Sequence, residues 1–206
     1  NVIVKYNSRN LMAGMILENG IAKELISPVI TVIDKLEKIP KNELINEFSN
    51  LGINQNQAES ILADFNLDFA SILNKYHDAD NELIQKGLTE VQELRNYIEA
   101  LNLQDKTKFV AALARGQDYY TGNVFEVYDE NNELNCSLGA GGRYDNMITD
   151  FINDGNSYPA VGISFGLSTI YEILKRRSEF NDKPFVDIYI IPLNTEKESL
   201  LLADKL

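Results

Sequence analysis

The chain has 206 residues, 44% of them hydrophobic and 24% charged, with a formal net charge of −12. That balance describes an ordinary globular chain, long enough for one domain with a core or for one domain plus part of another, and excludes a disordered or fibrous protein. The acidity argues against a general nucleic-acid clamp, because phosphate backbones demand clustered Lys and Arg; any RNA contact is expected to be local or to lie outside these residues.

The longest apolar runs, such as 186–193, are too short to cross a bilayer, and the start Asn1-Val2-Ile3-Val4-Lys5 lacks the pattern of a signal peptide. Because it opens on a strand-like segment rather than on Met, the chain is expected to be cut from something longer. Cys136 is the only cysteine and His77 the only histidine, which excludes a disulfide framework and a multi-ligand zinc site within the chain. Cys136 reads as a small buried hydrophobe inside a strand. Asn135-Cys136-Ser137 matches a glycosylation acceptor by chance, and a reducing, cytoplasmic setting is expected.

In chain order, Ile3-Val4-Lys5-Tyr6 alternates as a strand end, and Ser8 is placed to cap a helix that stops at Asn19-Gly20. From 21 to about 103 the apolar residues recur at helical spacing, with Pro28 in a first turn or kink and Pro40 and Gly52 as punctuation. Residues 41–80 read as a small packed set of short helices. After Leu103 the period changes. Strands are expected at 108–114, 124–129 and 134–138, with Thr121-Gly122-Asn123 and 129–132 as turns. Gly139-Ala140-Gly141-Gly142 follows, its glycines letting the chain pass tightly against a ligand or a neighbouring strand, before a helix at 145–151. A buried strand at 160–165 follows, then a helix at 167–177. A linker at 181–184 precedes a strand at 186–192 and a helix at 195–206. This order predicts an α+β domain of antiparallel strands and helices interrupted by a helical insertion.

Three segments have chemical potential. In Arg115-Gly116-Gln117-Asp118-Tyr119-Tyr120-Thr121-Gly122, a guanidinium beside glycine can enter a cleft and grip a carboxylate or phosphate. Two successive tyrosines point to opposite sides of an extended chain, so only one is expected to face a given pocket. A plainer reading is a surface Arg115 paired with Asp118 and two packing tyrosines. Gly139-Ala140-Gly141-Gly142-Arg143-Tyr144-Asp145 lacks the Lys-Ser/Thr ending of a phosphate loop, and Tyr144 stands where a dinucleotide fingerprint needs glycine. It fits either a tight turn or the wall of a ligand site. In Pro159-Ala160-Val161-Gly162-Ile163-Ser164-Phe165-Gly166-Leu167, the glycines either leave room for a flat group such as a nucleobase or let a helix pack closely on a strand.

Together these segments resemble the histidyl-tRNA synthetase family. Residues 115–122 resemble its first histidine-specific signature, Gly141-Gly142-Arg143-Tyr144-Asp145 its second, and 159–167 the third motif of class II synthetases, in matching order and spacing. Lys5-Tyr6-Asn7-Ser8-Arg9 and Val32-Ile33-Asp34-Lys35-Leu36 are similar to the segment leading into that family's insertion, most like its eukaryotic-type and archaeal-type members. The resemblance implies an α+β fold of class II synthetase type, an antiparallel sheet flanked by helices. It assigns 1–20 and 105–180 to the catalytic domain and 21–104 to an all-helical insertion. Residues 185–206 become the truncated start of an α/β anticodon-binding domain.

It further implies a two-step reaction, in which histidine and ATP form histidyl-adenylate and the histidyl group passes to tRNA(His). The parent is expected to be a homodimer in the cytoplasm, with Mg2+ bound largely through the ATP phosphates. Arg115 matches the catalytic arginine that bridges substrate carboxylate and α-phosphate, and Tyr119 and Tyr120 match the pair lining the histidine pocket. Gly141 and Gly142 border that pocket, Arg143 and Tyr144 brace it, and Gly162 and Gly166 fall in the ATP-binding motif. Two departures stand out. Ser168-Thr169 occupy the places of an acidic residue and of the arginine that touches the γ-phosphate, and Arg176 and Arg177 lie about 10 Å further along the helix. The first two class-defining motifs are not among these residues, so the isolated chain is expected to be inert. The alternative is the synthetase-like regulatory subunit of ATP phosphoribosyltransferase, which shares the fold. Such subunits generally lack the full signature string and a further domain, so Arg115 and 186–206 favour the synthetase.

Overall fold

Alternation at the start of the chain gives β1 (Val2–Ser8), and Ser8 ends it by becoming an N-cap, its hydroxyl accepting from the backbone N–H of Leu11. Helix α1 (Arg9–Glu18) follows and stops at Gly20, whose φ of +73° suits glycine. The computed structural model describes residues 1–116, 118–131, 133–134, 136–178 and 188–206. These divide into two compact units, Asn1–Ile170 and Tyr171–Leu206. Among the described residues no helix is long and apolar enough to cross a membrane.

In the first unit, α2 (Ile26–Ile33) carries Pro28 in its first turn, and α3 (Lys41–Asn50), α4 (Gln55–Asp64) and α5 (Phe69–Tyr76) form the expected set of short helices. Asn54 and Gln57 close a capping box on α4, while Asp68 and Asn81 cap α5 and α6 (Glu82–Ala100). The core lies mainly among these helices, around Met15, Ile16, Phe48, Ile61, Phe65 and Ile84. Asp64 is buried there but satisfied, its carboxylate accepting from Tyr76, Asn19 and Lys75.

Strands β2 (Thr107–Phe109), β3 (Asn123–Asp129), β4 (Gly139–Tyr144) and β5 (Ala160–Phe165) join β1 in one sheet of order β2-β1-β3-β4-β5. Every neighbouring pair is antiparallel except β1–β2, which is parallel. Helix α7 (Asn146–Ile152) links β4 towards β5, and α8 (Leu167–Arg176) leaves β5. In the second unit, α9 (Glu196–Ala203) is the defined helix near the C-terminal end.

The class is the expected α+β, and five local expectations change. The strand expected at 108–114 ends at Phe109, because a turn closes between Val110 and Leu113, and Asn7 takes the carbonyls of Ala111 (2.7 Å) and Leu113 (3.3 Å). Residues 139–142 are not a tight turn but the core of β4, passing closely between two neighbouring strands. The described residues of 134–138 form no strand, and Cys136 is exposed in the bend before β4. Strand β5 is an edge rather than a buried strand, with Val161 69%, Ile163 51% and Phe165 61% exposed. Residues 188–192 carry no strand, whereas 181–184, 186–187 and the acceptor Asn135 lie outside the described residues.

Helices α1 and α6 cross in close contact at two glycines. A Cβ on Gly14 would strike Ile84, and one on Gly87 would strike the backbone of Leu11. Helix propensity by itself favours alanine over glycine inside a helix by about 1 kcal/mol. Gly87→Ala is nevertheless expected to destabilise the chain by about 1–3 kcal/mol, because the helices must part. A lowered urea midpoint at unchanged slope would register this, and a raised midpoint would show that the crossing tolerates a methyl group.

Candidate active site

Direct cross-strand partners share a face of a sheet. Lys5, Glu126, Ala140 and Ser164 therefore form one row, and Asn7, Val124, Gly142 and Gly162 the next, about 7 Å away. The opposite face carries Tyr6, whose ring meets Phe109 edge-on at 6.0 Å, and Phe109 in turn meets Phe69 of α5 at 5.3 Å. One face is thus packed on the insertion helices, and the other is free to hold polar chemistry.

Asn7 draws residues 111–113 towards that second face, which brings Arg115 to Glu126. Arg115 Nη1 donates to Glu126 Oε1 at 2.6 Å, and the Tyr128 hydroxyl donates to Glu126 Oε2 at 2.5 Å. Burial presses the Arg115 pKa down, but the bond and charge of Glu126 outweigh it, with a lesser contribution from Tyr120, and the net direction is upward. The guanidinium therefore stays charged. Its Nε is buried and has no hydrogen-bond partner. The site thus holds an anchored cation with a buried donor unused.

The two tyrosines do not diverge. A turn at Asp118-Tyr119 breaks the extended geometry on which that expectation rested. The rings stand 4.5 Å apart with their hydroxyls at 3.4 Å, and Tyr144 meets Tyr119 edge-on at 6.0 Å. Bonding to Tyr120 and then burial push the Tyr119 pKa up, so its proton is kept. The cluster lies over Gly142, where a methyl group would sit 2.7 Å from the Tyr120 ring and 2.8 Å from the Asn123 carbonyl oxygen. Gly141 does not join it. Strand alternation turns Gly141 to the other face, against Phe125. At Gly162 the space for a side chain is taken by the Tyr144 hydroxyl, 2.9 Å away, and at Gly166 by Thr169 Oγ1 at 3.1 Å. Thr169 thus packs against the end of β5.

The segment's shape is held from outside. Arg9 on α1 donates to Asp118 at 2.9 Å and the Ser27 hydroxyl on α2 donates to it at 3.0 Å, so Asp118 does not pair with Arg115. Glu90 on α6 accepts from Ser8 at 2.6 Å and from Asn10 at 2.9 Å, and Asn10 also donates to the Thr121 carbonyl at 2.9 Å. Thr121 N–H donates to the Arg143 carbonyl and its hydroxyl accepts from Asp145 N–H, both at 2.9 Å, which ties the two glycine-containing segments together. Arg143 itself turns to Asp145, 2.8 Å away.

Sequence reasoning missed Glu126, Tyr128 and Asn7. The signal was present in part. Alternation along 124–128 puts Val124, Glu126 and Tyr128 on one face, and a carboxylate in mid-strand calls for a partner. Among the described residues there is no group of three or more His, Cys, Asp or Glu able to hold a metal ion. Arg176, in the second unit, pairs with Glu172 on its own helix at 3.1 Å.

A family model described as histidyl-tRNA synthetase matches residues 7–170. Histidine–tRNA ligase 2 of Shouchella clausii is 35% identical over 217 residues, a match covering 100% of this chain and 49% of that protein. Histidine–tRNA ligase 1 of Bacillus anthracis is 37% identical over 209 residues, with 100% and 48% covered. The solved histidyl-tRNA synthetase of Nostoc sp. PCC 7120 superposes with a TM-score of 0.80 at 25% identity, covering 100% of this chain and 50% of that one. A solved ATP phosphoribosyltransferase regulatory subunit/histidyl-tRNA synthetase from Bacillus halodurans shares the fold, with a TM-score of 0.68 at 18% identity over 100% of this chain and 51% of that one. The chain spans about half the length of the curated relatives it matches. With the family model spanning residues 7–170, all three signature segments included, the chain belongs to the histidyl-tRNA synthetase family.

Proposed function

We propose that this chain supplies part of the catalytic machinery of a histidine–tRNA ligase. ATP and histidine would give histidyl-adenylate and pyrophosphate, and the histidyl group would then pass to tRNA(His). The observation that carries the reading is Arg115, charged, anchored by Glu126, with a buried Nε donor unpartnered on the face that also holds the tyrosine cluster. In the first step a histidine carboxylate oxygen attacks the α-phosphorus in line, the bond to pyrophosphate breaks, and negative charge crowds the centre. A fixed guanidinium whose remaining donors bridge carboxylate and α-phosphate lowers that barrier by position and charge.

Tyr119 and Tyr120 supply hydroxyls 3.4 Å apart to hydrogen-bond the imidazole, with Gly142 as the bare wall that admits the ring of Tyr120. ATP binding through Gly162 and Gly166 rests on the resemblance, since close packing accounts for both glycines here. Mg2+ would neutralise the phosphate chain of ATP, and no step is assigned to it through these residues. The division proposed for the protein keeps 1–20 and 105–180 as catalytic domain, 21–104 as insertion and 185–206 as the opening of an anticodon-binding domain. A homodimeric, cytoplasmic parent belongs to the same proposal. The regulatory-subunit alternative makes the opposite forecast: histidine bound, with no exchange.

Histidine-dependent ATP–pyrophosphate exchange on the protein at its full natural length decides between them. Robust exchange that falls about 10²–10³-fold in Arg115→Ala is expected, with Arg115→Lys recovering little of it because an ammonium lacks the guanidinium's fork. Wild-type protein that binds histidine without exchange would establish the regulatory reading. Gly142→Ala is expected to raise KM for histidine about tenfold while KM for ATP moves little, since the new methyl group displaces Tyr120. An equal rise in both constants would remove Gly142 from the histidine wall.

A further inference from the structure

We propose that Glu126, itself held by Tyr128, is the positioning residue that sets the guanidinium of Arg115 for the reaction. The inference rests on the synthetase reading above and names a residue on β3, outside the signature segments. Glu126 lies in the centre of the sheet face, with Lys5 and Ala140 as its cross-strand partners. Its side chain is only 12% exposed, and each carboxylate oxygen already has a donor, Arg115 Nη1 at 2.6 Å and the Tyr128 hydroxyl at 2.5 Å. Both oxygens are thus engaged within the protein, and the task assigned to Glu126 is exercised through Arg115.

The geometry divides the guanidinium in two. Nη1 is committed to Glu126, and Nε remains buried without a partner. A planar fork held at Nη1 presents its remaining donors in far fewer orientations than a free arginine would sample. Tyr128 completes the support. Its ring lies 4.5 Å from Lys5 Nζ, which also pairs with Glu37 at 3.4 Å. Burial, and then the hydrogen bond to Glu126, push the Tyr128 pKa up, so the hydroxyl proton remains available as a donor. The chain of contacts Lys5, Tyr128, Glu126, Arg115 leads from the wall of a cleft of about 540 Å3, lined in part by Lys5, Glu37, Glu126 and Tyr128, to the candidate catalytic group.

Two readouts on the full-length protein test this, one with substrates and one without. In pyrophosphate exchange, Glu126→Ala is expected to lower kcat about 30–100-fold, the scale of a small misplacement, with KM for histidine within threefold. The isosteric Glu126→Gln keeps an acceptor and should recover part of the loss, and Tyr128→Phe should lose less than either. In an Arg115→Ala background, Glu126→Ala should cost under twofold, because its target has gone. An equal fold-loss in both backgrounds, or a raised KM at unchanged kcat, would overturn the proposal.

Without substrates, nitrogen-15 NMR of the Arg115 side chain should give separate Nη signals in the wild type that merge in Glu126→Ala. Signals merged in both proteins, or separate in both, would equally sink the idea. Should the wild type show no exchange, the synthetase reading fails, and the NMR comparison still decides whether Glu126 holds Arg115.

Discussion

The crossing of α1 and α6 at Gly14 and Gly87 sets the distance on which the rest of the first unit depends. Glycine on each helix lets two backbones approach to where a single methyl group would collide. Glu90 lies one turn beyond Gly87, so the same approach delivers its carboxylate to the N-terminus of α1, where Ser8 and Asn10 donate to it. Asn10 then reaches the Thr121 carbonyl, and Arg9 N–H the Gly122 carbonyl at 2.9 Å. A helix–helix contact deep in the core is thereby converted into the shape of a segment on the sheet. Separating α1 from α6 would loosen the tyrosine cluster without touching it.

Polar satisfaction explains why the chain's acidity does not disrupt this arrangement. The carboxylates that sit inside the first unit each meet donors: Asp64 with Lys75, Tyr76 and Asn19, Glu90 with Ser8 and Asn10, Glu126 with Arg115 and Tyr128, and Asp129 with the Glu133 backbone N–H. A buried charge left alone would cost several kcal/mol, on the order of the whole stability of a domain. Against that background an unpartnered, buried donor on Arg115 is informative. It marks a place where the fold leaves hydrogen-bonding capacity open on a cation, beside aromatic hydroxyls and a glycine wall.

Several features of this site were legible in the sequence because they are local. The Ser8 cap, the stop at Gly20, the short helices and the alternation of β3 all follow from neighbouring residues. The string from Arg115 to Gly122 and the glycines at 141–142 also announced themselves by composition and spacing. The misreadings share one cause. Glycine-rich residues 139–142 suit a tight turn because glycine is a poor strand former, yet β3 and β5 on either side pair with them and need the missing side chains. An extended chain would make the tyrosines diverge, but Asp118, held by Arg9 and Ser27, bends it.

Sequence alone thus determined the α+β class, the cap and stop of the first helix, the short helices as a set, and the residues around which a histidine- and ATP-dependent chemistry is proposed. Tertiary structure decided which of those residues share a face. It paired Arg115 with Glu126 rather than with Asp118, gathered Tyr119, Tyr120 and Tyr144 over Gly142, and turned Gly141 to the helix-packed side. It also left Cys136 exposed and β5 as an edge. The physical reason is range. Caps and periodicity act over a few residues of backbone, whereas strand register and ion-pair choice are settled by partners tens of residues away, whose approach the chain's local preferences do not encode.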